Sequence, residues 1–390
     1  MVWKGFTIEV KILVDDIGTG TQDVMLFDSN LNMENNYKLI LPSPTMQIFH
    51  RIKAATSDGV DILLTGNLMG GGPSGWAARA HLNAGFRVFA TPNAARSFDD
   101  DLQKISQMGI QVISEDEAAS LPAEVRRISM IDFDFSAIAR VFTDFNINLD
   151  GLTAIAVSVF DHGNAPVDES DRKFRFDYLD SRIRADHRLS AFAYPSDRIP
   201  ASMTRLQSVA TGAGELSVPL VVMDSAPAAI LGALFDPRVR TICHKVIVNV
   251  GNLHTLAFRM NGSTIEGLFE HHTGALSQEH LESLLHRLAL GELTNAEVFN
   301  EHGHGALVYA HEPWALGEDS CSLVVTGPRR NKMLGSSLNP YFAVPFGDMM
   351  TTGCIGLLAA VADVLPQFAE PILGSLTDLT ANHKSPWESV

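Results

Sequence analysis

Only three cysteines stand in 390 residues: Cys243, Cys321 and Cys354. They lie far apart, and no CxxC or CxxxCxxC spacing occurs. A disulfide framework, a thiolate zinc site and a radical-type iron–sulfur cluster are therefore unsupported. Each cysteine reads as a small buried apolar residue. Positive charge is also scarce, with 29 Lys and Arg against 45 Asp and Glu and a formal net charge of −16. Such a chain is a poor partner for nucleic acid. An anionic ligand would need an amide-lined or locally positive pocket. The apolar run 353–364 is too short to span a bilayer and carries Asp363. The first ten residues lack a signal-peptide core. The expectation is a cytoplasmic protein with neither a membrane nor a nucleic-acid partner. No Gly-Lys-Ser/Thr follows a glycine loop, which excludes a Walker loop, and there is no HExxH zinc motif.

The length favours two domains over one core. The chain is organised around residues 12–28, ILVDDIGTGTQDVMLFD. Ile12, Leu13 and Val14 suit a buried strand, and residues 24–27 return as a second one. Between them Gly18 and Gly20 permit close backbone approach, while Thr19 and Thr21 add hydroxyls. The amides of such a turn can line an anion. Asp16, at the end of the first strand, is placed to hold Mg²⁺ through water. A strand rather than a helix follows the glycines, which argues against a dinucleotide fingerprint. A plain hairpin turn fits the same residues.

The pattern returns at residues 245–260, where KVIVNV, the turn Gly251-Asn252-Leu253-His254 and a second strand follow one another. Strands alternate with helices elsewhere, so the class is α/β. The glycine-rich loop 69–73 follows a buried strand and reads as cleft lining or as a plain strand-to-helix connection. Residues 168–186 are charge-rich and read as a solvated excursion or a subunit contact, the latter implying a homodimer. The tail 380–390 is polar and reads as loose.

Six of fourteen histidines fall in glycine-bearing turns: His162, His254, His271, His272, His302 and His304. Three readings stay open: a divalent metal site with neighbouring carboxylates, proton transfer or phosphoryl stabilisation, and hydrogen bonding within turns. For a metal the nominated set is Asp161, His162, His271 and His272, beside Asp16 for Mg²⁺. Arg329 and Arg330 read as nucleotide contacts or as helix caps.

Two glycine hairpins and a late strand ending in Thr326-Gly327-Pro328 resemble the superfamily of acetate and sugar kinases, heat-shock chaperones and actin. The resemblance implies two actin-like (ribonuclease H-like) domains, each a mixed sheet flanked by helices, around an interdomain cleft. It implies ATP and Mg²⁺ as cofactors. The first phosphate loop would be Asp16, Gly18, Thr19, Gly20, Thr21, Gln22 and Asp23. The second would be Asn249, Gly251, Asn252 and His254, and the adenosine loop Thr326, Gly327 and Pro328. The domains would cover 1–160 and 218–380, with a connecting segment at 161–217 and a tail at 381–390. Asp224, ahead of a helix, is nominated as general base, with N-capping as its other reading; Asp161 and His162 are the further catalytic candidates.

The segments MGGGP, DHG, NVGNLHT, EHHTG, HGHGA and TGPRR are similar to a prokaryotic family labelled "pyruvate formate-lyase activating enzyme-like". The chain departs from the superfamily at Asn249, where a carboxylate is common. Three activities are carried forward: a phosphotransferase or ATPase acting on an unknown small molecule, an ATP-driven activator of a metalloenzyme or radical enzyme, and a metal-dependent enzyme on an actin-like scaffold.

Overall fold

The computed structural model describes residues 9–166, 169–214, 216–317, 322–378, 385 and 387. Cys321 and most of the tail expected to be loose lie outside them. The chain opens with β1 (Lys11–Ile17), β2 (Thr21–Asp28) and β3 (Tyr37–Pro42), an antiparallel meander, then α1 (Pro44–Asp58). A separate α/β unit follows. It comprises β4 (Ile62–Gly66), α2 (Gly72–Asn83), β5 (Val88–Ala90), α3 (Pro92–Ala95), α4 (Leu102–Gln107), β6 (Gln111–Val112), α5 (Glu115–Ser120) and β7 (Arg126–Met130). Its four parallel strands run β6-β5-β4-β7. These strands were expected within one first domain, but they form their own sheet on their own core.

The chain then returns through α6 (Phe135–Asp144) to β8 (Ala154–Val159), which pairs parallel with β1. After α7 (Asp171–Ala185), β9 (Ala193–Pro195) and α8 (Thr204–Gly212) comes β10 (Leu220–Asp224), parallel to β8. The first sheet is therefore β3-β2-β1-β8-β10-β9. The expected boundary at 217/218 falls before β10, yet β10 belongs to the first sheet.

Next come α9 (Ser225–Ala233), α10 (Pro237–Arg240), β11 (His244–Val250), β12 (His254–Asn261) and β13 (Thr264–His272). They are followed by α11 (Gln278–Leu290), α12 (Asn295–Asn300), β14 (Gly305–Val308), β15 (Ser322–Thr326) and β16 (Tyr341–Phe342). The second sheet is β14-β13-β12-β11-β15-β16. Both sheets thus share an order, third-second-first-fourth-fifth, with β9 and β14 added at opposite edges. The likeness reaches single residues. β1 and β11 bury the same positions of seven, and β2 and β12 the same positions of eight. Position for position, Asp16 matches Asn249, Gly18 matches Gly251 and Thr21 matches His254.

Finally α13 (Thr352–Val364) and α14 (Ala369–Thr377) close the chain. Helix α13 packs on the first sheet through Ile355, Leu358 and Ala362, and α9 packs on the second through Ala226, Ile230 and Ala233. The two helices form the layer between the sheets. They cross at Gly232 and Gly356, where a Cβ on either would overlap the other helix's backbone. Among the described residues no single helix is long and apolar enough to cross a membrane.

The charge-rich stretch 168–186 departs most from expectation. Its α7 buries Arg175, Phe176, Leu179 and Ile183, so the helix is a core element. Their three- and four-residue spacing is a helical stripe, hidden in sequence because one of its members is an arginine.

Candidate functional site

The two hairpin turns are built alike. The Gly18 amide donates to the Thr21 carbonyl at 2.9 Å, and the Gly251 amide to the His254 carbonyl at 2.9 Å. They also meet, since a Cβ placed on Gly20 would lie 2.7 Å from Asn252 Nδ2. The glycine loop before α2 closes on both. Gly72, at φ +38°, faces Thr19 Cγ2 and Leu253 Cδ1 at ordinary contact distance. Of the two readings of residues 69–73, cleft lining fits this placement. Behind the loop Arg205 binds Asp132 (Nε to Oδ2, 2.7 Å) and donates to the Phe160 carbonyl, with its guanidinium against Gly70.

Strand alternation separates the two adjacent acids of β1. Asp15 points to one side, where Gln22 Nε2 donates to it at 2.7 Å. Asp16 points to the other, accepting from Ser158 Oγ at 2.6 Å at the start of α13. Gly353 makes room for this side chain, because a Cβ there would overlap the Asp16 carboxylate and displace it. Burial lifts the Asp16 carboxyl to about 6 against the Ser158 hydrogen bond. Burial, reinforced by Asp16, lifts Asp23 to about 8, and Asp23 Oδ1 has no hydrogen-bond partner. Crowded acids with an orphaned oxygen suit a cation, so the residues present fit Mg²⁺ beside a phosphate.

These raised values set a pH dependence for the protein free of nucleotide and cation. A carboxyl raised in the folded state stabilises fully below its unfolded value of about 3.9. That contribution is lost as pH rises through about 6 for Asp16 and about 8 for Asp23. Asp23→Asn removes the upper step. Its melting temperature is expected to match wild type below about pH 4 and to exceed it by a growing margin up to about pH 8.5, as scanning calorimetry can check.

In the second unit Asn249 takes the place of Asp16, and Thr326 that of Ser158. The Thr326 hydroxyl is buried without a partner. Gly327, at φ +97°, lets the following turn cross the end of β11 where a Cβ would overlap Asn249 Oδ1. The Arg329 amide then donates to the Val250 carbonyl at 2.9 Å. Thr326, Gly327 and Pro328 are thus brought against the second turn, and Arg329 is exposed.

The nominated bases are otherwise occupied. Asp224 caps α9 through the Ala226 amide (3.1 Å) and forms a buried ion pair with Arg175. Burial raises its carboxyl, opposed chiefly by Arg175. Asp161 spends one oxygen on the Gly163 amide (2.8 Å) and the other on the Leu206 amide (2.9 Å). Both carboxylates are thus already engaged in the fold, which makes each a weaker base, and Asp161 a less available metal ligand, than its place in the sequence suggests.

The histidines sort by strand alternation. His271 turns away from Glu270 and His272 toward His280, its ring 5.6 Å from that of His280. It leaves the expected metal set. His162, His254 and His304 converge instead, from the loop after β8, the start of β12 and the residue before β14, with one ring nitrogen of each within 4.8 Å of the others. His272 stands at the rim, its ring 4.7 Å from that of His304. Beneath lies Glu270, fully buried. Its Oε1 is 2.8 Å from His304 Nδ1, off the hydrogen-bond line, and 3.8 Å from His254 Nδ1. Its Oε2 accepts from Arg175 Nε at 3.1 Å. Burial would raise the Glu270 carboxyl, but Arg175 and His304 outweigh it and hold it well below the usual range. Burial keeps His162 well below its ordinary value and brings His254 to about 3, so both are neutral imidazoles. A cavity of about 200 Å³ between α7 and α12 borders His304. Sequence reasoning left Arg175, Arg205, Glu270 and His304 out of its site; the EHHTG and HGHGA segments were the available signal for the last two.

Cys354 is buried as expected, its thiol donating to the Asp23 carbonyl at 2.9 Å, whereas Cys243 is exposed in the turn before β11.

A duplicated three-strand meander with two following parallel strands, each unit bringing a glycine turn against its twin, defines an actin-like (ribonuclease H-like) α/β protein. The chain belongs to the family described as "Putative pyruvate format-lyase activating enzyme (DUF1786)", which matches residues 69–332. No curated protein matches the sequence. Among solved structures it is similar to an exopolyphosphatase-like protein (9% identity, 82% of this chain, 66% of that chain, TM-score 0.27). It is also similar to the apo psk41 parM protein (12%, 93% and 99%, 0.29) and to the nucleotide-free structure of acetone carboxylase (9%, 67% and 45%, 0.21). At such TM-scores these likenesses add nothing to the strand order, which carries the class by itself.

Proposed function

We propose that the protein binds ATP with Mg²⁺ between its two duplicated units and uses the nucleotide to drive a change in their relative position. The observation that carries this reading is the pair of equivalent turns, 18–21 and 251–254, set against each other with Gly20 beside Asn252. Backbone amides of two such turns can surround a phosphate chain without basic side chains, which suits a chain of net charge −16. Asp16 and Asp23 would hold Mg²⁺, whose chemistry there is neutralisation of phosphate charge. Thr326-Gly327-Pro328 would pack against the adenosine.

Two activities remain for such a site, transfer to an acceptor and nucleotide-driven activation of a partner. The commitments of Asp224 and Asp161 favour the second, because phosphotransfer needs a base within reach of the acceptor hydroxyl. Asn249 in place of a carboxylate points the same way, toward binding more than rapid hydrolysis. The family description is compatible with an activator, with a metalloenzyme or radical enzyme as the client.

Calorimetric titration with ATP and ADP, with and without Mg²⁺, tests the reading. Wild type is expected to bind in the micromolar range, and Asp16→Ala to lose the Mg²⁺-dependent part, at least tenfold. No binding by wild type at millimolar nucleotide would overturn it.

A further inference from the structure

We propose that His162, His254 and His304 form a binding site for one divalent transition-metal ion of the zinc class, with an open coordination position. The inference is independent of nucleotide binding.

The three imidazoles come from three separate segments, so their meeting is a product of the tertiary fold. Their donor atoms lie within 4.8 Å of one another. Tetrahedral zinc with bonds of about 2.0–2.1 Å needs donors about 3.3 Å apart. Contraction by about 1.5 Å at most is within reach of side-chain rotation. Among the described residues no protein hydrogen bond takes up a ring nitrogen of His162 or His254; His254 Nδ1 faces Glu270 Oε1 at 3.8 Å, and the three rings pack on one another with centroids 4.9–5.3 Å apart. Turn-fixing histidines would be expected to use those nitrogens. An all-imidazole donor set without thiolate suits zinc, cobalt, nickel or ferrous ions and does not suit Mg²⁺ or Ca²⁺.

The surroundings resemble a built metal site. Glu270 Oε1 lies 2.8 Å from His304 Nδ1, off the hydrogen-bond line; a small turn of the ring would complete the carboxylate–histidine–metal arrangement and leave His304 Nε2 for the metal. Arg175 holds the other Glu270 oxygen and the Asp161 carbonyl (2.8 Å), and Asp224 holds Arg175. The loop carrying His304 is pinned by Arg172, whose Nη1 donates to the Gly303 carbonyl at 2.7 Å. Three protein ligands rather than four is the pattern of sites that leave a position for water or substrate. Because the His254 carbonyl closes the second turn, a metal here would brace that turn directly.

The test uses the whole 390-residue chain, stripped with chelator and dialysed against Zn²⁺ or Co²⁺. One equivalent is expected, and zinc-edge X-ray absorption should count three imidazoles, a readout that needs no variant. His162→Ala and His304→Ala should each weaken Co²⁺ binding more than about a hundredfold, and Glu270→Gln about ten- to a hundredfold. His271→Ala, on the opposite side of β13, should bind as wild type. Binding below a fifth of an equivalent, a spectrum without imidazole ligands, or loss in His271→Ala equal to that in His304→Ala would overturn the proposal.

Discussion

Arg175→Met is expected to destabilise the protein by about 3–5 kcal/mol, measured as the shift in urea unfolding. The methionine keeps most of the arginine's volume and removes its charge. The guanidinium is fully buried between the Asp224 and Glu270 carboxylates, donates to the Asp161 carbonyl and lies over the Phe160 ring, 4.5 Å from its centroid. Its loss leaves two buried carboxylates without their cation. The penalty of an unpaired buried charge exceeds the net worth of the intact pair. The triple variant Arg175→Met, Asp224→Asn, Glu270→Gln should therefore recover a large part of the lost stability. A single variant within about 1 kcal/mol of wild type would show that water reaches these carboxylates. The same variant should disturb the histidine cluster, because Glu270 stands between the two.

Gly356→Val should cost about 3 kcal/mol or more, by overpacking where nothing soft can yield. A Cβ at Gly356 would overlap the Ala228 carbonyl oxygen, and one at Gly232 the Thr352 carbonyl oxygen. The helices α9 and α13 approach so closely because each presents a glycine to the other's backbone. The crossing also sits between the two sheets, so a separation of the helices would alter how the two turns face each other. Gly374→Ala in α14 is the contrast. A Cβ there meets nothing within 4 Å, so a gain of about 0.5–1 kcal/mol is expected from helix propensity alone. Denaturant midpoints of both variants check the pair. Equal effects would mean that the α9–α13 crossing adapts freely.

The duplication was legible in the sequence because it is written in local pattern. Two short apolar runs, Ile12–Val14 and Val246–Val248, each followed by one or two polar residues, one further apolar residue and a glycine turn, can be matched by eye. The structure adds that the burial pattern agrees at every position of both strand pairs. The inserted sheet β6-β5-β4-β7 was not legible as a separate layer, since strand alternation gives a strand's faces but not its neighbours. The same limit placed β10 with the wrong sheet: four apolar residues, Leu220 to Met223, look alike in either.

The histidines show the limit most clearly. His271 and His272 are adjacent in sequence, which suggested a pair, but neighbours on a strand point to opposite faces. His162 and His304 are 142 positions apart, and their rings lie 5.3 Å apart. Asp161 looked free in sequence and has both oxygens on backbone amides; Arg175 looked solvated and sits in the core. What the sequence by itself determined is what short-range periodicity and backbone preference encode: the strands, the two glycine turns, the lack of any paired-cysteine spacing and the acid at Asp16. Only the tertiary structure decided which polar groups meet, because those contacts are set by how sheets and helices stack, over separations that no local pattern records. The opposed turns, the Asp224–Arg175–Glu270 chain and the three-histidine cluster all belong to that second kind.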